Sequence, residues 1–243
     1  MELTGKVAVV TGGAVRLGRA ISLALARAGA NVVVHYGSSR QAAADTCREI
    51  ESLGVKSIAV QADIRIPVGA AQAVFQRVQE VFGRAEILVN SAAVFEPGTL
   101  AATDEDQWDR HFNVNLKAPF FLCQRFAEQL GTAVAGHIVN IADWRGTRPS
   151  TGQLAYTLTK SALVALTKNL ALELAPRVQV NAIAPGAILP PPHTDKKYLK
   201  QLVDRIPLKH IGSPDEVTAA LLFLLRSDFI TGEVVHIAGG EQL

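Results

Sequence analysis

Short, β-rich apolar segments alternate along this chain with longer segments of helical period, and few folds accept that alternation. The candidate strands are residues 7–10, 31–35, 57–61, 87–90, 137–141, 179–183 and 234–237. Most are apolar throughout, as strands covered on both faces must be. A repeated strand-then-helix rhythm predicts an α/β fold, a parallel sheet wound with helices on both sides. Between the third and fourth strands, Ala71, Val74, Phe75, Val78, Val81 and Phe82 recur at helical spacing behind Pro67, and Gly83 ends the run. Residues 17–28 form a helical segment that stops at Gly29, and a second stops at Gly54. Ser213, Pro214 and Glu216 read as a capping box with proline at the first helical position. Pro119 either kinks a helix or sits in its first turn. The irregular stretch 184–197 carries Pro185, Pro190, Pro191 and Pro192 and reads as a binding loop or lid, or else as a structural crossover.

With 243 residues the chain is long enough for one large domain or two small ones. No linker, low-complexity tract or further repeat interrupts it, so residues 1–243 are expected to form one domain, with 184–210 as its substrate-binding region. Hydrophobic residues make up 49% and charged residues 19%, which excludes a disordered chain. A net charge of +2 lacks the basic surplus of a general nucleic-acid binder. Cys47 and Cys123 allow one disulfide at most and give no metal-ligand spacing, so no metal site is expected. The N-terminus enters a strand at once and does not have the form of a secretory signal. The most apolar run, 217–225, is too short to span a bilayer and is flanked by Asp215, Glu216 and Arg226. These features predict a cytoplasmic protein that acts on a small molecule, with neither nucleic acid nor membrane as partner.

The first strand runs into TGGAVRLGRAI, where Gly12, Gly13 and Gly18 form a turn that opens directly into a helix. That context aims backbone N–H groups and a positive helix end at a phosphate. Dinucleotide sites that prefer NAD place an acid at the end of the second strand, whereas this chain has HYGSSR there. With no acid at 35–40, and with Arg16, Ser38, Ser39 and Arg40 nearby, an extra phosphate is accommodated, and NADP(H) is the expected cofactor. Arg40 is either a ligand of that phosphate or a solvated helix-start residue. Asp63 is either an acceptor for an adenine amino group or a turn cap.

Tyr156 and Lys160 lie four residues apart and so project from one face of a helix. An ammonium beside a phenol is expected to lower the phenol's pKa from near 10, fitting tyrosine for proton transfer. Asp143 follows the strand at 137–141 and can reach the same pocket from the carboxyl end of the sheet, where open α/β folds bind ligands. Asn115 offers an amide to orient a proton-relay water, or else serves as a helix cap.

These ordered motifs resemble the short-chain dehydrogenase/reductase family over nearly the whole chain. The matching segments are TGGAVRLG, Asp63, LVNSAA at 88–93, Asn115 in NVN, Tyr156 with Lys160, VNAIAPGA at 180–187 and the closing ITGEVVHIAGG. The resemblance implies a single doubly wound Rossmann-type domain with about seven parallel strands in the order 3-2-1-4-5-6-7. It implies Tyr156 as catalytic acid, Lys160 on the nicotinamide ribose, and Asn115 in the proton relay. Cofactor contacts would come from Gly12, Arg16, Leu17, Gly18, His35, Tyr36, Ser38, Ser39, Asp63, Ile64, Asn90, Ser91, Ala92, Tyr156, Lys160, Pro185, Gly186 and Ile188. A homotetramer or homodimer is implied too, through the helix of Tyr156 and the last helix.

Two departures from the family narrow the expectation. Arg16 stands at the middle glycine of the usual TGxxxGxG, and Asp143 stands at the catalytic serine. Both occur together in pteridine reductases, where HYxxS, here HYGSS, holds NADP. In that subgroup Phe95 would stack on the pterin, with Arg16, Asp143 and Tyr156 as its other contacts. Ser91 for a second Asn, and Ala93 and Val94 for serines, depart from the subgroup. The expected activity is NADPH-dependent reduction of a dihydropterin or dihydrofolate. The alternatives are an NADPH-dependent reductase of a 3-oxoacyl thioester or small ketone, and a non-catalytic NADPH-binding regulator.

Overall fold

The structure is a computed structural model that describes residues 1–132, 134–189 and 196–243. Seven parallel strands form its sheet: β1 (Val7–Val10), β2 (Asn31–Tyr36), β3 (Ser57–Gln61), β4 (Ile87–Asn90), β5 (Gly136–Ile141), β6 (Val178–Pro185) and β7 (Val234–Ile237). Their order is β3-β2-β1-β4-β5-β6-β7, as expected. The helices are α1 (Arg16–Arg27), α2 (Arg40–Ser52), α3 (Pro67–Phe82), α4 (Glu105–Phe112), α5 (Ala118–Leu130), α6 (Leu154–Glu173), α7 (Lys196–Arg205) and α8 (Pro214–Arg226).

Side chains alternate along each strand, so the same strands feed two cores. Ala8, Val10, Val32, Val34, Ile87 and Val89 face Ile21 and Leu25 of α1, Ile50 of α2, and Leu221 and Leu224 of α8. Val7, Val9, Val33 and Leu88 face Val74 and Val78 of α3 and Leu122 and Phe126 of α5. Both faces of the central strands are therefore dry, which is why β1, β2 and β4 lack a polar stripe, while the edge strand β3 leaves Ala59 and Gln61 exposed.

Local signals are realised where they were legible. Gly29, Gly54 and Gly83 take positive φ behind α1, α2 and α3. The Ser213 capping box is formed at the start of α8. Pro119 sits in the first turn of α5, which runs on from α4 through a π-helical turn at Asn113–Lys117. The 184–197 expectation needs correcting at both ends. β6 carries on through Pro185, because its backbone still pairs with β7 as far as Ile237, and α7 begins at Lys196. Pro190, Pro191 and Pro192 lie outside the described residues.

His137 of β5 is buried, and desolvation of its charged form pushes its pKa down to about 4. The unfolded chain takes up that proton near pH 6.5, so it binds more protons than the fold between pH 6.5 and 4, and stability falls across that window. In full the loss is about 3 kcal/mol. Urea midpoints should therefore drop between pH 7.5 and 4.5, and less steeply in His137→Gln; equal slopes would remove His137 as the cause.

Candidate active site

The strand order reverses between β1 and β4, so their carboxyl ends open a crevice at the switch point. The turn after β1 is built for close approach. Gly12 has φ +63, and a Cβ on Gly18 would lie 2.1 Å from Gly12 O. Arg16 has φ +50, the left-handed conformation that costs a side-chain-bearing residue roughly 1–2 kcal/mol, which explains why glycine suits the position. Val15 caps α1 without a side-chain hydrogen bond, and no acid occupies the first turn. The donors at that helix end thus fit an anion.

His35 and Thr11 hold this crevice in shape. Gly12 N–H donates to His35 Nδ1 at 3.2 Å, and His35 Nε2 lies 3.1 Å from Ala62 O. Nδ1 accepts, so Nε2 carries the proton, and burial keeps the ring neutral by lowering its pKa. His35 therefore supports the glycine turn from below, while Tyr36 beside it is also buried. Thr11 Oγ1 accepts from the N–H groups of Ser91 and Ala92, tying the ends of β1 and β4 together. Asn90 donates to Asn140 Oδ1 at 2.8 Å. Ser38 and Arg40 are exposed and Ser39 is half-buried, just before α2. Asp63 lies two residues beyond the end of β3, where its carboxylate accepts from Arg65 N–H at 3.0 Å and ion-pairs with the Arg65 guanidinium. It is thus seen as a turn cap, and Ile64 beside it is half-buried.

The candidate reacting groups meet at the end of β5. Tyr156 Oη donates to Asp143 Oδ2 at 2.9 Å, and Asp143 Oδ1 accepts from Arg145 N–H at 2.8 Å and lies 3.3 Å from the Arg145 guanidinium. Lys160 Nζ donates to Ile141 O at 2.7 Å and lies 5.6 Å from the Tyr156 ring centroid. Burial lowers the Lys160 pKa to about 8, against the attraction of Asp143. The expected lowering of the Tyr156 pKa does not occur. Burial and then the Asp143 carboxylate, acting by charge and as hydrogen-bond acceptor, raise it well above 10 and keep the proton on the phenol. Asn115 occupies the π-helical turn, a local widening common at functional sites. Its amide accepts from Val94 N–H at 2.9 Å and donates to Val94 O at 2.9 Å and Thr159 Oγ1 at 3.2 Å. Those bonds fasten the segment after β4 to α6.

Asp143, Tyr156 and Lys160 share a cavity of about 320 Å3 with Arg16, Leu17, Ser91, Phe95, Pro185, Gly186 and Ile188, a size that suits a small organic molecule. Phe95 is 52% exposed and meets the Tyr156 ring edge-on at 4.7 Å. Arg16 bridges the cavity by donating to Leu189 O at 2.8 Å. Sequence reasoning brought these residues together and missed others, Arg145 and Glu241 among them. Arg145 stacks on Trp144 at 4.4 Å and lies 5.8 Å from the Phe95 centroid, so it stands beside both Asp143 and the exposed ring. An arginine two residues after an acid in a tight turn was the available signal. Glu241 reaches the cavity from the C-terminal tail, and nothing local announces it.

The family model described as Enoyl-(Acyl carrier protein) reductase matches residues 13–242, and the chain belongs to that family of short-chain dehydrogenases/reductases. The chain is 35% identical to the 3-oxoacyl-(acyl-carrier-protein) reductase FabG of Staphylococcus aureus over 249 residues, covering 100% of each. It superposes with a TM-score of 0.93 and 32% identity on FolM alternative dihydrofolate reductase 1 of Brucella canis, a complex with NADP, covering 99% of this chain and 95% of that one. A blue fluorescent protein from a metagenomic library, in complex with NADPH, is similar at a TM-score of 0.92 and 31% identity, with 100% of both chains covered.

Proposed function

We propose that the protein is an NADPH-dependent reductase of a dihydropterin- or dihydrofolate-type substrate. The observation that carries this reading is the Asp143 carboxylate 2.9 Å from Tyr156 Oη, at the position where the family uses serine. A serine hydroxyl donates to the oxyanion that develops when a carbonyl is reduced, whereas a carboxylate repels it. Reduction of a ring imine puts the hydride on carbon and a proton on the adjacent nitrogen, and a carboxylate that feeds the proton donor suits that chemistry. The likeness to a FolM dihydrofolate reductase supports the same reading.

The glycine turn and the uncapped start of α1 fit a pyrophosphate, Ser38 and Ser39 fit the extra phosphate of NADPH, and Arg16 lines the cavity with its guanidinium on Leu189 O. Bound there, NADPH supplies the hydride. Tyr156 holds the proton to be donated, because burial and Asp143 keep its phenol protonated. Asp143 accepts from that phenol and, with Arg145 at its other oxygen, is oriented to relay a proton taken up from water to the tyrosine once the phenol has given its own. Lys160, with one donor on Ile141 O, keeps two for the ribose hydroxyls. Phe95 offers its exposed ring to a planar substrate, a stack worth roughly 0.5–1.5 kcal/mol beyond burial. We also read the protein as a homodimer or homotetramer, because α6 and α8 leave Leu158, Leu172 and Phe223 exposed.

NADPH oxidation measured with dihydrobiopterin, dihydrofolate and an acetoacetyl thioester tests this reading. Activity on the thioester alone would overturn it in favour of a 3-oxoacyl thioester reductase, the reading that the FabG relative favours. Asp143→Ser should cost about 10–100-fold with a pterin and help a carbonyl substrate. The reverse pattern assigns Asp143 to carbonyl chemistry.

A further inference from the structure

The C-terminal tail folds over the segment that follows β6, and one carboxylate joins the two. Glu241 Oε2 accepts the Ala187 N–H at 2.7 Å. Ala187 O accepts the Gly212 N–H at 2.9 Å, and Leu189 O accepts from Arg16 at 2.8 Å. Residues 187–189 are thus pinned at three backbone atoms, from the tail, from the end of the loop before α8, and from the glycine turn. Arg16 pins the strip from the cofactor side, and Glu241 from the opposite end of the chain.

The tail that carries Glu241 has little freedom. Leu208 N–H donates to Gly239 O at 3.1 Å. A Cβ on Gly239 would lie 2.8 Å from Ile206 Cγ2, and one on Gly240 2.7 Å from Pro207 Cγ. Arg148 Nη1 donates to Glu241 O at 3.2 Å. On the other side, a Cβ on Gly186 would fall 2.1 Å from Glu241 Oε2, so the missing side chain is what lets the carboxylate reach the next amide. Gly186, Ala187, Ile188, Leu189 and Glu241 all line the cavity that holds Asp143 and Tyr156. The clasp is therefore part of the cavity wall, and a shift in it moves the surface against which a substrate must sit.

We propose that Glu241 is a positioning residue for the substrate: its carboxylate clasps the Ala187 amide and fixes the 186–189 wall opposite Asp143 and Tyr156. It acts through the backbone, so its effect falls on what the 186–189 strip touches, the substrate first and, through Gly186 and Ile188, the adjoining end of the cofactor, and leaves the chemical step almost untouched. That expectation holds for a pterin and for a carbonyl substrate alike.

The test compares Glu241→Ala, Glu241→Gln and Glu241→Asp in the full chain. Gln keeps an acceptor oxygen at the same reach, Ala removes it, and Asp keeps the charge but draws it back by one methylene. Amide exchange at Ala187, read by mass spectrometry on a peptide spanning 186–189, should be about tenfold faster in the Ala and Asp variants and near wild type in Gln. With whichever of dihydrobiopterin, dihydrofolate or acetoacetyl thioester is turned over, KM for that substrate should rise about tenfold in Ala and Asp, with kcat within about threefold. Gln should restore KM. Unchanged exchange in Glu241→Ala, an unchanged KM, a Gln variant as impaired as Ala, or a normal Asp variant would each overturn the proposal. If none of the three substrates reacts, the reductase reading fails on its own and the exchange measurement still decides the role of Glu241.

Discussion

Tyr156→Phe is expected to lower kcat/KM by about 10²–10⁴-fold while leaving NADPH affinity within about twofold. The substitution removes one oxygen and keeps the ring. The edge-on contact with Phe95 at 4.7 Å survives, and Asp143 retains its bonds to the Arg145 backbone and guanidinium. The fold therefore has little reason to change, and thermal unfolding should shift by only a few degrees. What disappears is the proton that burial and Asp143 hold on the phenol. Steady-state NADPH oxidation measures the loss. A variant within about threefold of wild type would show that the proton comes from elsewhere, with water or Asp143 itself as the donor.

Gly18→Ala carries the second large effect. Its Cβ would lie 2.1 Å from Gly12 O, and backbone cannot yield as the far end of a side chain can. Relief requires α1 to move away from the glycine turn, displacing the helix end that faces the crevice. Overpacking of this kind costs typically 1–3 kcal/mol, and the pyrophosphate contacts are lost with it, so NADPH binding should weaken by about 100-fold or more. Fluorescence titration with NADPH reads the change. Gly69→Ala on α3 is the control, because a Cβ there meets only Ile66 Cγ2 at an ordinary 3.6 Å and its φ is not left-handed. Equal affinities in the two variants would separate the close approach at Gly18 from cofactor binding.

Much of the architecture was legible because the signals were local. Seven short β-rich segments, most of them apolar throughout, Gly29, Gly54 and Gly83 behind helices, and the Ser213 capping box each act within a few residues, and each is realised. Tyr156 and Lys160 were legible for the same reason, since a spacing of four sets one helix face. Their protonation was not. The spacing argument weighed only the ammonium beside the phenol, whereas the fold buries Tyr156 and brings Asp143, thirteen residues earlier, to its oxygen. His35 shows the same limit: a motif marked the residue, and only the structure shows its ring beneath the glycine turn, bridging Gly12 and Ala62.

By itself, then, the sequence determined the alternation that builds the sheet, the glycine turn and the pair on α6, because periodicity, backbone conformation and capping are decided by neighbours along the chain. Only the tertiary structure decided where charges end up and what they face. Arg145 against Phe95, Arg16 on Leu189 O and Glu241 on Ala187 N–H join segments as much as 173 residues apart. The energy of a charge depends on its burial and its nearest partners, and both belong to the packed molecule.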